Sequence, residues 1–228
     1  MSTTARTGPS RRHPGGPGLR TVGLGWLALS ALAIAVYAPL PYALNPLHDL
    51  AANGAEIAAN YASRPDWVRA AFAAHVVFGA LALLLSPVQL WARVRARIPR
   101  LHRVVGRVVL VSIVVGGVAG FLLSWFNLAG PIGTAGFGML AVLWVTFAGL
   151  GLRAILRRDV QVHRRWMLRA FALTYAAVTL RLWLIVLIPL LGDFGRAYLL
   201  VPFLSWVPNL VVVELLLRRR PTPESLRL

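Results

Sequence analysis

Two histidines, each followed directly by an arginine, have the clearest potential for chemistry in this chain. His102 and Arg103 open one long apolar segment, and His163 and Arg164 open another. Two neutral imidazoles that face each other across a helical bundle are a common way to hold the iron of a b-type haem. Neighbouring arginines can neutralise the haem propionates, and Gly106, one helical turn after His102, can leave space for a flat ring. The pattern predicts haem iron bound by both imidazoles.

The same side chains fit other ligands. A quinone head group or a lipid phosphate suits a pair of His-Arg dipeptides, and a histidine beside an arginine can also be an interfacial residue without any ligand. A haem or quinone site would make the protein an electron carrier, with a redox protein or another membrane complex as its partner.

A second set of polar residues lies inside the apolar segments, where an ionisable side chain costs roughly 2.5–3.5 kcal/mol on insertion scales. His75 and Arg181 are expected at comparable depth in the half of the membrane away from the His-Arg dipeptides. Asp193 is a candidate partner for Arg181 or for Arg196. Such groups often line substrate or proton routes, which makes this pair a candidate transport site. Interhelical pairing or snorkelling of Arg181 is the simpler alternative.

The remaining polar residues in or beside the apolar segments are Gln89, Asn209 and Glu214. We expect Glu214 to pair with Arg218, four residues later on the same helix.

Composition and charge indicate the membrane that holds these residues. The chain is 58% hydrophobic and 14% charged, with a mean hydropathy of +0.69, which is too apolar for an ordinary soluble domain. All 24 basic residues are arginine, and they cluster between apolar segments. The net charge of +17 therefore predicts contact with anionic lipid head groups and not with nucleic acid. The absence of cysteine excludes disulfides, thiolate metal sites and iron–sulfur clusters.

The arginine clusters also predict a topology, because positive segments are retained in the cytoplasm during insertion. We predict an all-α integral membrane protein in the inner membrane of a bacterium, a six-helix up-and-down bundle with both termini cytoplasmic. The expected spans are residues 20–44, 67–91, 102–126, 136–156, 166–191 and 197–217, which together form one domain over 20–217. Residues 1–19 are predicted to be a disordered cytoplasmic tail, 46–61 a short external helix, and 218–228 a basic cytoplasmic tail.

Several motifs occur in the order typical of one bacterial family. They are His75 with Gly79, Ser86-Pro87-Val88-Gln89, HRVVGR from His102, HRRWMLR from His163, Thr179-Leu180-Arg181-Leu182, and Trp206 with Asn209 and Glu214. Over roughly residues 65–217 the chain resembles a widespread family of multi-pass predicted membrane proteins of unknown function. The resemblance implies a membrane bundle with polar marks at His75, Gln89, His102, Arg103, His163, Arg164, Arg181 and Asn209. It implies no reaction.

The chain is also similar, more loosely, to cytochrome b561-type proteins, which have six helices and an H-R-x-x-G element at a helix start. In that family, histidines ligate haem in pairs between helices two and four and between helices three and five. His102 and His163 match the three–five pair, whereas His75 has no histidine partner on the fourth span. The similarity therefore implies one haem at most by this route, unless His48 folds in to meet His75.

Three classes of function remain open on these residues. The first is a haem- or quinone-linked redox protein, and the second is a transporter with its site at His75 and Arg181. The third is a non-catalytic, lipid-binding or accessory membrane protein. A transporter should offer a polar cavity, whereas an accessory protein should offer an apolar groove. A hydrolase is disfavoured because the chain holds no G-x-S-x-G or H-E-x-x-H element.

Overall fold

A computed structural model describes residues 19–218 of the chain, and this part is built from helices with no strand. The two predicted tails lie largely outside the described residues, in 1–18 and 219–228. The α-helices are α1 (Leu19–Tyr37), α2 (Leu40–Leu44), α3 (Leu47–Ala52), α4 (Glu56–Ala62), α5 (Asp66–Leu90), α6 (Ala92–Arg97), α7 (Pro99–Leu123), α8 (Gly130–Leu156), α9 (Val160–Thr174), α10 (Ala176–Leu191), α11 (Phe194–Leu204) and α12 (Val207–Arg218).

Six helical segments within residues 19–218 are long and apolar enough to cross a membrane, as predicted. They are Val22–Leu44, Asp66–Leu90, Pro99–Phe126, Gly130–Leu156, Val160–Leu191 and Phe194–Arg218, and we number them spans one to six. The basic end of the bundle carries the connections 91–98 and 157–159, and the opposite end carries the connections 45–65, 127–129 and 192–193. That the basic end faces the cytoplasm stays a prediction.

Three of the six spans are broken along their length, and span three ends in a 3₁₀ turn over Ser124–Phe126. Span one breaks before Leu40, where Pro39 lacks the N–H that would continue the helix. Span five breaks at Tyr175 and span six at Ser205 and Trp206. The sequence predicts interruptions of the last two spans at Pro189, Pro202 and Pro208. The break in span six lies between Pro202 and Pro208, whereas the break in span five lies not at Pro189 but at Tyr175, which is neither glycine nor proline.

The long connection at the opposite end forms two short helices, α3 and α4, where the sequence predicts one over 46–61. The interruption lies at Gly54, which has φ +83°, a conformation that residues with a Cβ rarely adopt. Asn60 ties α4 to the third span by donating to the carbonyl of Phe126 at 2.6 Å. The α4 helix therefore packs against the ends of spans two and three.

Consecutive spans pack side by side and antiparallel, which produces the predicted up-and-down bundle. Glycine allows the closest contacts. A Cβ on Gly136 would lie 2.5 Å from Pro202, and one on Gly117 would lie 2.5 Å from Val145. The central core gathers around Trp144, whose indole donates to Thr174 at 2.9 Å.

Candidate functional site

The start of the fifth span orients His163. Arg158 turns the chain with a positive φ of 62°, and Asp159 then caps α9 by accepting from the N–H of Val162 at 2.9 Å. The imidazole Nδ1 of His163 lies 2.8 Å from the carbonyl oxygen of Gly151 in the fourth span. Because a carbonyl only accepts, Nδ1 is assigned the proton, and Nε2 keeps its lone pair.

His102 lies near the start of the third span and faces the same region. Its Nδ1 is buried and has no hydrogen-bond partner among residues 19–218. Its ring is close enough to that of His163 for a charge on one to act on the other. The Gln89 side chain donates to the carbonyl of His102 at 3.2 Å, and so connects the end of span two to this turn. Two imidazoles from different spans thus lie within electrostatic range of each other at the basic end.

Arginines and one glycine lie beside the two histidines. Arg103 and Arg164 are exposed, and Arg95 on the short helix α6 lies within electrostatic range of His102. A Cβ on Gly106 would come 3.3 Å from the Gln89 amide oxygen. The clearance at Gly106 is therefore used by Gln89. Whether a flat ring also lies there stays a prediction.

An interhelical ion pair lies at the basic end. Arg169 donates through Nε and Nη2 to the two carboxylate oxygens of Glu214, at 2.5 and 2.9 Å, and so joins span five to span six. The guanidinium also lies over the ring of Trp166, 4.7 Å from its centroid. The expected pairing of Glu214 with Arg218 is wrong, because the facing helix offers a planar, bidentate partner.

Asn209 connects the breaks in spans five and six. Its amide N–H groups donate to the carbonyl of Ala172, the hydroxyl of Thr179 and the carbonyl of Ser205, at 3.2, 2.8 and 3.1 Å. Both spans thus deviate from a continuous helix where one side chain supplies donors to their backbone carbonyls. The arrangement satisfies polar groups that would otherwise face hydrocarbon.

His75 lies against the glycines of the third span. Its Nδ1 is 2.8 Å from the carbonyl of Gly116, and a Cβ on Gly120 would come within 2.8 Å of the same nitrogen. The two glycines therefore make room for the imidazole as well as for close helix approach. As with His163, the carbonyl assigns the proton to Nδ1 and leaves Nε2 with a lone pair.

Arg181 has no carboxylate partner among residues 19–218. Its Nη1 donates to the carbonyl of Ala177 at 2.7 Å. The expected candidate, Asp193, caps α11 instead, accepting from the N–H of Arg196 at 2.7 Å. Arg181 and His75 lie within electrostatic range of each other, as their predicted depths suggest.

Tyrosines collect around this part of the bundle. Tyr37 and Tyr42 lie within electrostatic range of Arg181, and Tyr198 lies within range of Tyr42 and Tyr61. Tyr42 and Tyr61 both pack on Phe72, with ring centroids 5.0 and 4.6 Å from it. Burial raises the pKa of Tyr61 to about 12, although the nearby Arg64 opposes the rise.

Sequence reasoning missed several of these residues. Arg169 was recognisable only as part of a basic run, and Thr179 only as part of a motif. Tyr37 and Tyr42 come from the first span, so no spacing in the sequence connects them to Arg181. Among residues 19–218, no group of three or more histidine or acidic side chains is arranged to hold a metal ion.

Residues 72–217 match the family described as predicted membrane protein (DUF2306). The chain belongs to this family. The match includes both His-Arg dipeptides, His75, Arg181, Asn209 and Glu214, and it begins after the first span and the helices α3 and α4. No curated protein and no solved structure matches the chain. The family establishes a membrane protein of unknown function, so its activity is addressed below as a proposal.

Proposed function

We propose that this protein binds a b-type haem at the basic end, between His102 and His163, and carries single electrons. The observation that supports the proposal is the state of the two imidazoles. His163 is held by its Nδ1, which leaves Nε2 to ligate. His102 has a buried Nδ1 without a hydrogen-bond partner among residues 19–218, and the two rings lie within electrostatic range of each other. A ligating histidine commonly donates its other N–H to a carbonyl in this way.

The surrounding residues have defined roles in this proposal. Gly151 fixes the tautomer and orientation of His163, and Gln89 holds the turn of His102. Arg103 and Arg164 supply positive charge at the mouth of the site for acidic groups of the ligand. When bound, the haem supplies a one-electron centre. A quinone head group is the alternative ligand for the same residues, and a redox protein or membrane complex is the expected partner.

An optical spectrum tests the proposal. The full chain, purified in detergent after expression with ample haem, should show a sharp α-band on reduction with dithionite. His102→Ala and His163→Ala should each abolish the band. His48→Ala is the matched control, because this histidine is exposed on α3 at the opposite end and should leave the spectrum unchanged. A wild-type spectrum without haem bands would contradict the haem, and bands that survive both substitutions would contradict its ligation by His102 and His163.

A transport role is the second candidate, and the adjacent breaks in spans five and six favour it. Broken helices near the membrane middle often form substrate sites in transporters. The chain has no cysteine, so Ser205→Cys would be a unique thiol at the break. Labelling of this thiol by a membrane-impermeant maleimide would support a water-accessible pathway. Protection from both sides, with an exposed Ser63→Cys control labelled fully, would argue against it.

An accessory, lipid-binding role has its own supporting feature. An apolar groove of about 410 Å³ runs between spans two and three. Its walls are short or branched apolar side chains, namely Ala70, Ala71, Ala74, Val114, Val115, Val118, Ala119 and Leu122. Such a surface suits an acyl chain, and copurified lipid identified by mass spectrometry would support this role.

The membrane and orientation belong to the proposal as well. We place the protein in a bacterial inner membrane, with its basic end against anionic head groups at the cytoplasmic face. Fluorescent-protein and alkaline-phosphatase fusions to the carboxyl terminus test the orientation. The fluorescent fusion should be bright and the phosphatase fusion inactive, and the reverse pattern would invert the topology.

A further inference from the structure

We propose that the half of the bundle near the opposite end holds a site for one oxyanion, with Arg181 as its principal donor and Tyr42 and His75 beside it. The site is separate from the two imidazoles at the basic end and does not depend on haem. The chemistry is that of a carboxylate or phosphate group.

The charge on Arg181 is the first argument. A guanidinium has five N–H donors, and the structure supplies one acceptor, the Ala177 carbonyl at 2.7 Å. No carboxylate within residues 19–218 lies within 4 Å of it. A half-buried cation with spare donors in an apolar bundle is matched best by a planar oxyanion that binds two of those donors.

The direction of the side chain is the second argument. Arg181 lies ten residues before the end of α10 at Leu191, which places it about 15 Å from the opposite end. Snorkelling would extend the side chain toward that end. The guanidinium instead donates to Ala177, one turn nearer the basic end, and so extends away from the opposite end.

The neighbours of Arg181 are the third argument. Tyr42 lies within electrostatic range of it, and Phe72 holds the tyrosine ring edge-on at 5.0 Å. The Tyr42 hydroxyl has no hydrogen-bond partner among residues 19–218. It can donate to an oxyanion bound by the guanidinium.

His75 adds a hydrogen-bond acceptor to these donors. Because its Nδ1 donates to Gly116, its Nε2 is an acceptor in the neighbourhood of Arg181. The site therefore offers two donor side chains, Arg181 and Tyr42, and one acceptor side chain, His75. This combination fits an oxyanion group that can also carry a proton, as carboxylates and phosphates can.

The anion can reach this depth from two sources. It can be the head group of an amphiphile in the surrounding leaflet, or a small anion from the aqueous phase at the opposite end. The two sources share the same recognition chemistry, and separate probes distinguish them.

Native mass spectrometry of the full chain, released from detergent micelles, counts bound molecules directly. The probes are oleate, oleyl alcohol as its uncharged analogue, and inorganic phosphate. Wild-type protein should retain one oleate or one phosphate and should not retain oleyl alcohol. Oleate binding would identify the amphiphile as the source, and phosphate binding the small anion.

Substitutions assign the binding to this site. Arg181→Gln should weaken binding about tenfold or more, and Tyr42→Phe, which keeps the packing on Phe72, about threefold. Arg196→Gln is the matched control, since it removes an exposed arginine from the opposite end and should bind as wild type does. Retention of oleyl alcohol equal to that of oleate, equal binding by Arg181→Gln, or no binding by wild type would overturn the proposal.

Folding of each variant is checked by circular dichroism. If Arg181→Gln does not fold, the Tyr42→Phe variant decides, because unchanged binding by that variant would then overturn the site. The haem spectrum is recorded on the same samples. Loss of anion binding with an intact spectrum separates this proposal from the one at the basic end.

Discussion

Two arginines of the fifth span, Arg169 and Arg181, are compensated in opposite ways. Arg169 near the basic end binds both oxygens of Glu214 and stacks on Trp166, so its charge is matched within the fold. Arg181, farther along the same span, has a backbone carbonyl and tyrosine neighbours but no carboxylate among residues 19–218. One arginine thus joins two helices, whereas the other keeps donors available. The difference indicates which charge serves the fold and which one a ligand could use.

Removing the carboxylate is expected to have the largest effect on stability. Glu214→Gln should lower the free energy of unfolding by about 2–3 kcal/mol, because Arg169 would keep its charge in a site where its side chain is only 16% exposed. Chemical unfolding in detergent measures the change. Glu56→Gln removes an exposed acid from α4 and should change stability by less than about 0.5 kcal/mol. Equal effects of the two substitutions would remove the distinction between the two arginines.

Replacing each arginine by methionine should change the free energy of unfolding in opposite directions. Arg181→Met should raise the free energy of unfolding by about 1–2 kcal/mol, because it removes a cation that the bundle does not neutralise. Arg169→Met should lower it, because Glu214 would lose its partner. The same unfolding assay applies to both variants. A loss of stability in Arg181→Met would mean that the fold itself compensates this charge.

The breaks in spans five and six lie between the two arginines in depth. The interaction of Asn209 with Thr179, which joins the two breaks, can be measured as a coupling free energy. Asn209→Ala and Thr179→Val should each cost about 1–2 kcal/mol, and the double variant should cost about 1 kcal/mol less than their sum. Thr146→Val on the exposed face of the fourth span is the control for the loss of a threonine hydroxyl. Additive effects would show that the two side chains act independently.

Tyr61 provides a smaller effect, visible only at high pH. Its pKa is about 12 in the folded protein, whereas a tyrosine in an unfolded chain titrates near 10. Between these values the unfolded chain has lost the proton and the folded chain keeps it. Stability should therefore fall as pH rises from about 10 to about 12, and be unaffected by this residue below that window. Tyr61→Phe should show a shallower fall in the same unfolding assay, and identical slopes would contradict the buried phenol.

Span number and helical class were predictable because both depend on local properties. A run of about 20 apolar residues must satisfy its backbone internally, so helices follow from hydropathy alone. The family was predictable for a related reason, since its motifs are short and occur in a fixed order. The break at Tyr175 could not be predicted, because no proline or glycine marks it and the Asn209 amide that donates to the Ala172 carbonyl comes from another span.

The candidate sites were predictable in part. His75 and Arg181 were expected at one depth, and they lie within electrostatic range of each other. The two His-Arg dipeptides were expected at the same end of the bundle, where their imidazoles lie within electrostatic range of each other. The partners of these residues could not be predicted. Gly151 and Gly116 act through backbone carbonyls, which every residue possesses and which therefore leave no signal in the sequence.

The sequence by itself determined that this chain is a six-span helical membrane protein and which residues are polar within it. Composition, apolar run length and motif order act along the chain, so they can be read without a fold. The tertiary structure decided which charges are paired, where spans five and six break, and which groups surround Arg181. These outcomes depend on the relative rotation of neighbouring helices, which selects facing partners from residues far apart in the chain.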